Sequence, residues 1–284
     1  MFKPAKLGVT YSIFSGEEFL EPSIMQIREH VDYINVVFQK KSWFGDSAST
    51  NLTNLLSSLL KRRIIDSVIE FPFSGWGTHS ANRLHQKLLT SQVMQKKMIG
   101  VQDLRAANCT HCMIMDVDEF YITEQFAEAK KFVLENNITH SCCALYDYKL
   151  SPVYRSRDVA KYAVPFIFKL RFYSKIKRNH HMPCLIDPLR SFQFNAFPFR
   201  LFFPDKFFYL NSVCMHHMTG MRLDFEKKLN ASITNVSPAG EKFVESYRKE
   251  HKKALHLSEE SLLESGYIKV NDTFNLKKIF SESY

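Results

Sequence analysis

Residues 112–119 read Cys-Met-Ile-Met-Asp-Val-Asp-Glu, so an apolar run passes directly into a cluster of carboxylates. The apolar run is typical of a buried strand, and residues two apart in a strand project to the same side. Asp116 and Asp118 are therefore expected side by side at the C-terminal end of this strand, where α/β proteins place their ligand sites. Two such carboxylates repel each other unless a cation joins them, and oxygen ligands suit Mg²⁺ or Mn²⁺. The pattern predicts a divalent metal site.

Hydrophobic periodicity makes this strand the fourth in an alternating series. The predicted strands are 7–14, 33–38 and 64–71, and the predicted helices are 17–31, 51–63 and 80–107. This alternation predicts an α/β fold with a mostly parallel central sheet and helices on both faces. The four strands should end on one edge of the sheet, where a nucleotide is expected. Those ends are at Phe14, Gln39, Phe71 and Asp116. Gly100 is expected to break or bend the third helix.

The pattern changes after about residue 140. Strands are predicted at 141–149, 164–174 and 199–215, a loop at 175–198, and helices at 223–230, 238–256 and 258–265. We divide the chain into a nucleotide-binding half, 1–150, a region of acceptor-side strands and loop, 151–222, and a C-terminal helical region, 223–284. All three are expected to form one compact domain.

The composition is that of a folded, basic protein. The chain has 284 residues, of which 45% are hydrophobic, and a net charge of +9 that favours anionic partners. We see no nucleic-acid-binding motif, so nucleic acid is not an expected partner. No apolar run is long enough to span a membrane, and the first residues lack the apolar core of a signal peptide, so a cytoplasmic location is expected. The spacing of the six cysteines gives no disulfide framework, and Cys109 and Cys112 of a lone Cys-x-x-Cys are expected to pack in the core rather than to act in redox chemistry or bind zinc.

Three parts of the sequence resemble the GT-A glycosyltransferases, and most closely the bacterial family-2-like enzymes of surface polysaccharide and lipopolysaccharide synthesis. They are residues 9–14 with 16–18, residues 31–37, and residues 115–120. The resemblance extends over residues 6–150. It implies a GT-A fold and the metal-dependent transfer of a sugar from a UDP- or GDP-linked donor to a saccharide acceptor. Lipopolysaccharide or another lipid-linked glycan is the implied acceptor, reached at the inner face of the cell membrane.

The resemblance also implies roles for individual residues. Asp118 would bind the metal directly, and Asp116 would contact the ribose or donor sugar and complete the metal site. The residues that would border the base and ribose are Ser12, Phe14, Glu17 and Gln39. Some enzymes of this fold take a further metal ligand from a distal histidine, and His216-His217 follows an apolar strand. Adjacent strand residues point to opposite faces, so only one should reach the metal, and His217 is our candidate.

Two further groups are needed for the implied reaction. Arg222 is a candidate bidentate donor to the diphosphate. If the configuration of the sugar inverts, a base must accept the proton of the acceptor hydroxyl. Asp187 is the first candidate, because its apolar lead-in would raise its pKa, although it also fits a turn before Pro188. Glu119 and Asp224 are the other candidates, and a retaining enzyme would need no such base.

Alternatives remain open from the sequence. A nucleotidyltransferase or other phosphate-handling enzyme would use the same acids, but residues 12–16 make a poor glycine-rich phosphate loop. A non-catalytic protein that binds nucleotide sugars is a further alternative. The basic segment 175–181 and the amphipathic stretch 238–256 fit contact with an acidic glycolipid or an anionic membrane, or else a solvated loop and a docked helix. The donor sugar and the oligomeric state are not determined.

Overall fold

The computed structural model describes residues 4–72, 83–171, 175–178, 192–195, 205–232 and 238–281. The strands are β1 Leu7–Ile13, β2 Tyr33–Phe38, β3 Ser67–Glu70, β4 His111–Asp116, β5 Glu119–Phe120, β6 His140–Lys149, β7 Ser151–Ser156, β8 Val164–Lys169, β9 Lys175–Arg178, β10 Phe192–Asn195, β11 Phe207–Gly220 and β12 Tyr267–Lys269. The helices are α1 Glu17–Ile27, α2 Thr50–Lys61, α3 Arg83–Ala106, α4 Thr123–Glu135, α5 Phe225–Asn230, α6 Pro238–Leu255, α7 Glu259–Glu264 and α8 Lys277–Ser281. Among the described helices, none is both long and apolar enough to cross a membrane.

A large mixed sheet forms the centre of the protein. Its order is β12-β7-β6-β8-β4-β1-β2-β3, with β11 beside β6 and β5 beside β11. β1 pairs in parallel with β2 and β4, and β2 pairs in parallel with β3, as the alternation of elements predicted. This confirms the predicted α/β fold with flanking helices and a central sheet that is parallel over β4-β1-β2-β3 and mixed beyond β4.

The directions of the strands bring six strand ends to one edge. β8 runs antiparallel to both β4 and β6, so β4 and β6 run in the same direction. β11 is parallel to β6. The C-terminal ends of β1, β2, β3, β4, β6 and β11 therefore lie along the same edge, which we call the C-terminal edge. Both halves of the chain contribute to it.

Helices cover both faces of the sheet. The largest core cluster contains apolar residues of β1 together with Leu20 and Ile24 of α1, Leu52, Leu56 and Leu59 of α2, and Phe126 and Val133 of α4. In a second cluster, Val101 and Leu104 of α3 meet Cys112 and Ile114 of β4. Each large apolar side chain that is fully buried contributes roughly 1.5–3 kcal/mol to folding. Because helices cover the two faces of the sheet, its C-terminal edge is the part that can bind a ligand.

Gly100 does not break α3, contrary to the prediction. A Cβ atom at Gly100 would lie 2.0 Å from Thr10 Oγ1, so the helix rests directly on β1 at this point. Asn35 Nδ2 of β2 donates to the Gly100 carbonyl at 2.9 Å. Glycine is needed at position 100 because α3 and β1 approach each other closely there. The same approach places Lys96, about one turn earlier in α3, at the end of β1.

Several later elements differ from the prediction. The segment 175–198, predicted as a loop, contains β9 and β10, which pair antiparallel. β11 continues to Gly220, so His216 and His217 lie within the strand instead of ending it. Charged residues dominate the sequence of β9, so it shows no hydrophobic pattern that would predict a strand. β12 is only three residues long, which is too short for such a pattern. All three predicted regions contribute strands to the one sheet, and the division itself stays a prediction.

Five cysteines of the described residues lie inside the protein as thiols. Cys109, Cys112, Cys142 and Cys143 are buried and Cys214 is half-buried. Burial raises the pKa of Cys109 to about 11, and that of Cys112 also lies above its ordinary value. Because the thiolate is the reactive form of cysteine, neither thiol is set up for redox chemistry or metal binding. They pack as small apolar side chains, as predicted.

Candidate active site

The C-terminal edge brings together residues that are far apart in the sequence. Ser12 lies opposite Asp116 on one side and Val37 on the other. At the far side of the edge, His217 of β11 lies opposite Asp147 of β6. The predicted residues Ser12, Asp116 and His217 therefore do share an edge of the sheet.

Asp118 is the most deeply buried charged group of this edge. Its side chain is 0% exposed, and its Oδ2 atom accepts three hydrogen bonds. The donors are Thr219 Oγ1 at 2.6 Å, Arg222 Nη1 at 3.1 Å and Lys228 Nζ at 3.3 Å. Burial alone would raise the pKa of Asp118, but the charges of Lys228 and Arg222 outweigh it and hold the pKa well below its usual value. Asp118 is therefore a carboxylate anchored by two cations.

Arg222 joins three segments of the chain. Its side chain is 1% exposed. Nη2 donates to Ser15 Oγ at 2.8 Å, Nη1 donates to Asp118, and Nε donates to Asp224 Oδ1 at 2.9 Å. The guanidinium lies against Gly16, where an added Cβ would be 2.4 Å from Nη2. Gly16 also has a φ of 87°, which favours glycine. The arginine thus links the loop after β1 to the ends of β4 and β11.

The segment after β11 lies over the loop after β1. The Leu223 backbone N–H donates to Glu18 Oε1 at 3.1 Å. Lys227 Nζ of α5 stands 5.2 Å from the centre of the Phe14 ring. These contacts place α5 beside the C-terminal edge. Lys228, the residue after Lys227, contacts Asp118, and its side chain is 33% exposed.

A buried lysine lies on the α3 side of the edge. Lys96 is 6% exposed, and its Nζ atom donates to the Ile13 carbonyl at 3.0 Å. Burial lowers the pKa of Lys96 to about 7, and the charge of Asp116 partly opposes this shift. Each of the two predicted metal-binding acids therefore has a lysine in its surroundings, Lys96 near Asp116 and Lys228 at Asp118.

Neither histidine lies with the acids as a metal ligand. Both ring nitrogens of His217 have partners: Nδ1 is 2.9 Å from Asp147 Oδ1, and Nε2 is 2.7 Å from Thr219 Oγ1. The Thr219 hydroxyl stands between His217 and Asp118. His216 Nδ1 is 2.9 Å from the Tyr148 hydroxyl in the core, and burial lowers its pKa to about 4. Within the described ranges no three His, Cys, Asp or Glu side chains gather so that they could hold a metal.

The two acids alone still fit a divalent cation. Asp118 Oδ1 is buried and has no hydrogen-bond partner among the described residues. Asp116 precedes it by two residues at the end of β4. Mg²⁺ is often held by one or two carboxylates together with water and the phosphates of a ligand. A site of that kind needs no third protein ligand, so we retain Asp116 and Asp118 as its residues and leave out His217.

Two of the residues predicted to border the base and ribose carry free acceptors. Gln39, at the end of β2, donates from Nε2 to the Lys41 carbonyl at 2.7 Å, which fixes the orientation of its amide. Its Oε1 atom and Glu17 Oε1 are buried and lack a hydrogen-bond partner in the part of the chain that the structure describes. Buried acceptors in this state are costly unless a ligand supplies donors. Ser12 and Phe14 are half-buried beside them.

Two of the three candidate bases, Glu119 and Asp224, lie among the described residues. Asp187 lies outside the described residues. Glu119 is 4% exposed, and its charge acts on Tyr11 and Cys143, two fully buried core residues. Asp224 is paired with Arg222 at 2.9 Å. Neither Glu119 nor Asp224 is therefore presented to an acceptor.

Sequence reasoning did not select five residues that the structure brings to the edge. They are Ser15, Lys96, Asp147, Thr219 and Lys228. Only Thr219 could have been recognised from the local sequence, because it lies two residues after His217 and therefore on the same face of β11. The others are polar residues on elements whose neighbours become known only from the fold.

Comparison with protein-family models and with curated protein sequences finds no match. Among solved structures, the chain is similar to S. aureus TarS 1–349, with a TM-score of 0.41 and 10% identity over 81% of this chain and 65% of that chain. It is also similar to GalNAc-T7 with UDP, GalNAc and Mn²⁺, with a TM-score of 0.41 and 10% identity over 82% of this chain and 47% of that chain. The chain thus spans less than two thirds of the length of these structures. Similarities of this size leave the assignment of a function to the geometry of the site.

Proposed function

We propose that the protein is a glycosyltransferase that moves a sugar from a UDP- or GDP-linked donor to a hydroxyl group of a saccharide acceptor. One observation carries the proposal: at the C-terminal edge, Asp118 after β4 is joined by Arg222 to Ser15 in the loop after β1. This edge is where open α/β sheets bind nucleotides. It combines a carboxylate pair, buried acceptors and cations, which are the groups that a nucleotide diphosphate sugar requires.

The acceptor atoms suit the nucleoside part of the donor. The amide nitrogen of Gln39 donates to the Lys41 carbonyl, which turns Oε1 into a buried acceptor with no partner among the described residues. Glu17 Oε1 is likewise an acceptor. Uracil and guanine both present N–H groups, and ribose presents hydroxyl groups, so each would satisfy these atoms. The proposal therefore includes UDP and GDP alike.

Lys228 is the cation best placed for the diphosphate. The donors of Arg222 are directed at Ser15, Asp118 and Asp224 inside the protein, whereas Lys228 is one-third exposed beside Asp118. We therefore assign to Arg222 the positioning of the loop after β1, and to Lys228 a hydrogen bond to the phosphates. The leaving diphosphate gains charge as the sugar departs, and an oriented cation stabilises that charge.

Asp116 and Asp118 would hold a divalent metal in the same site. When bound, Mn²⁺ or Mg²⁺ would act as a Lewis acid on the departing diphosphate. The contribution of the chain is to hold the two acids at the end of β4 and to keep Asp118 ionised. Arg222 and Lys228 do this for Asp118, because their charges keep its pKa low despite burial.

The acceptor is proposed to be an anionic saccharide. The net charge of +9 favours ligands with negative groups. A phosphorylated saccharide of lipopolysaccharide or of another lipid-linked glycan has this chemistry, and it agrees with the resemblance noted in the sequence.

Nucleotide binding tests the proposal directly. We would measure the affinity of UDP, GDP, CMP and the matching nucleosides by calorimetry, with Mn²⁺ and with a chelator. One diphosphate should bind more tightly with Mn²⁺ than without it, and Lys228→Gln should weaken its binding about tenfold while the nucleoside binds as before. Lys253→Gln, an exposed lysine of α6, is the control and should bind as the wild type does. If neither UDP nor GDP binds with Mn²⁺ present, the proposed function is wrong.

A further inference from the structure

The C-terminal edge carries one more carboxylate, Asp147, which has no role in the proposal so far. It lies near the end of β6, and its side chain is 41% exposed. Three other acids of the edge differ from it in their surroundings. Asp118 is fully buried between cations, Glu119 is buried beside core residues, and Asp224 is paired with Arg222. Asp147 is thus an acid of this edge that a ligand from solution can reach.

A chain of hydrogen bonds holds Asp147 in place. The Thr219 hydroxyl donates to Asp118 Oδ2 at 2.6 Å. Its single proton is used there, so it accepts from His217 Nε2 at 2.7 Å, and that nitrogen carries a proton. His217 Nδ1 is 2.9 Å from Asp147 Oδ1. A carboxylate oxygen can only accept, so Nδ1 donates as well, the His217 ring is held as the cation at both ends, and Asp147 presents its other oxygen, Oδ2, to a ligand.

Two aromatic side chains, Tyr247 of α6 and Tyr267 of β12, lie within range of the charge of Asp147. Burial raises the pKa of both Tyr247 and Tyr267, and the charge of Asp147 adds to the shift in each. The Tyr247 ring is tilted against Phe225 at 5.6 Å and stacks on Phe243 at 6.4 Å, and Phe243 is 64% exposed. Aromatic surfaces with a few placed polar groups are typical of sites for small organic ligands. A sugar can place its C–H face on such rings and a hydroxyl group on the carboxylate.

We propose that Asp147 is the base that accepts the proton of the acceptor hydroxyl, and that His217 positions it. This inference rests on the proposed function. The acceptor oxygen forms a bond to the anomeric carbon, and its proton passes to Asp147 Oδ2. The bond between the anomeric carbon and the phosphate oxygen breaks, and its electron pair leaves with the nucleotide diphosphate. Direct displacement of this kind inverts the configuration of the transferred sugar.

The test measures donor binding and sugar transfer separately. Asp147→Asn keeps the shape of the side chain and an oxygen that can accept from His217, so the fold should be retained, and thermal unfolding checks this. Asp158→Asn, at an exposed aspartate after β7, is the matched control. Release of the nucleotide is followed with UDP-glucose, UDP-galactose, UDP-N-acetylglucosamine, GDP-mannose and GDP-fucose, with water and octyl glycosides as acceptors.

We expect Asp147→Asn to bind the nucleotide within twofold of the wild type and to lose about 10²- to 10⁴-fold in turnover, the usual contribution of a general base. Asp147→Glu should recover part of the loss, and Asp158→Asn should match the wild type. Turnover of Asp147→Asn within threefold of the wild type, or a product of retained configuration by NMR, would overturn the inference alone. If the wild type binds no nucleotide, the proposed function fails and this inference fails with it.

Discussion

Replacing Arg222 with leucine is expected to lower the free energy of unfolding by about 3–5 kcal/mol, the usual cost of removing one partner of a buried ion pair. The two side chains of the pair are 1% and 0% exposed. The substitution also removes the donors to Ser15 Oγ and Asp224 Oδ1. Each lost bond to a charged group is worth roughly 1.5–3 kcal/mol. The sum of these contributions is an upper bound on the loss in free energy of unfolding. Lys228 still pairs with Asp118 in the variant, and the half-buried Asp224 can be hydrated again.

Urea unfolding followed by circular dichroism measures this loss as a change in the midpoint at constant slope. Arg62→Leu is the matched control. It removes an arginine that pairs with Glu21 at 2.6 Å but is 52% exposed, so solvent screens the pair and the midpoint should hardly change. Arg222→Lys should fall between the two, because an ammonium keeps the charge but cannot reach three partners at once. If Arg222→Leu costs no more than Arg62→Leu, the three-way contact does not hold the edge together.

Two further predictions concern the α3 side of the edge. Gly100→Ala should destabilise the protein by about 1–2 kcal/mol despite the better helix propensity of alanine, because its Cβ would lie 2.0 Å from Thr10 Oγ1. The double variant with Thr10→Ala removes that overlap and should be more stable than Gly100→Ala; equal or lower stability in urea contradicts the packing argument. Lys96 has a pKa lowered to about 7 by burial, below its unfolded value near 10.5, so the unfolded state binds more protons between these values and stability should rise with pH there. Urea unfolding at pH 7.5, 8.5 and 9.5 should show a rise of up to about 1.4 kcal/mol per pH unit that is absent in Lys96→Met; equal slopes in the two proteins refute the assignment.

The first half of the fold was predictable because its strands are nearly continuous apolar runs. β1, β2 and β4 are buried along almost their whole length, so their residues must be apolar whatever the neighbouring loops contain. The alternation with helices then leaves few arrangements other than a parallel sheet. The position of Asp116 at a strand end followed from the same pattern.

The partners of the acids were not predictable in the same way. Arg222 lies 104 residues after Asp118, and it reaches the acid only because β11 runs parallel to β6. Nothing in a hydrophobic pattern states which strand lies beside which. His217 illustrates the limit: a histidine at the right edge was recognised, but its role depends on Asp147 and Thr219, which the fold supplies.

The surroundings of Asp118 connect the stability of this edge with its proposed use. Oδ2 accepts three hydrogen bonds, whereas Oδ1 is buried and has no hydrogen-bond partner among the described residues. An unsatisfied buried acceptor costs about 1–3 kcal/mol, which a fold retains only where something else compensates. The three donors on Oδ2 supply that compensation, because they keep the carboxylate ionised and fixed. A cation bound at Oδ1 would recover the remaining cost, so the same arrangement that stabilises the fold favours a metal-bound ligand at this position.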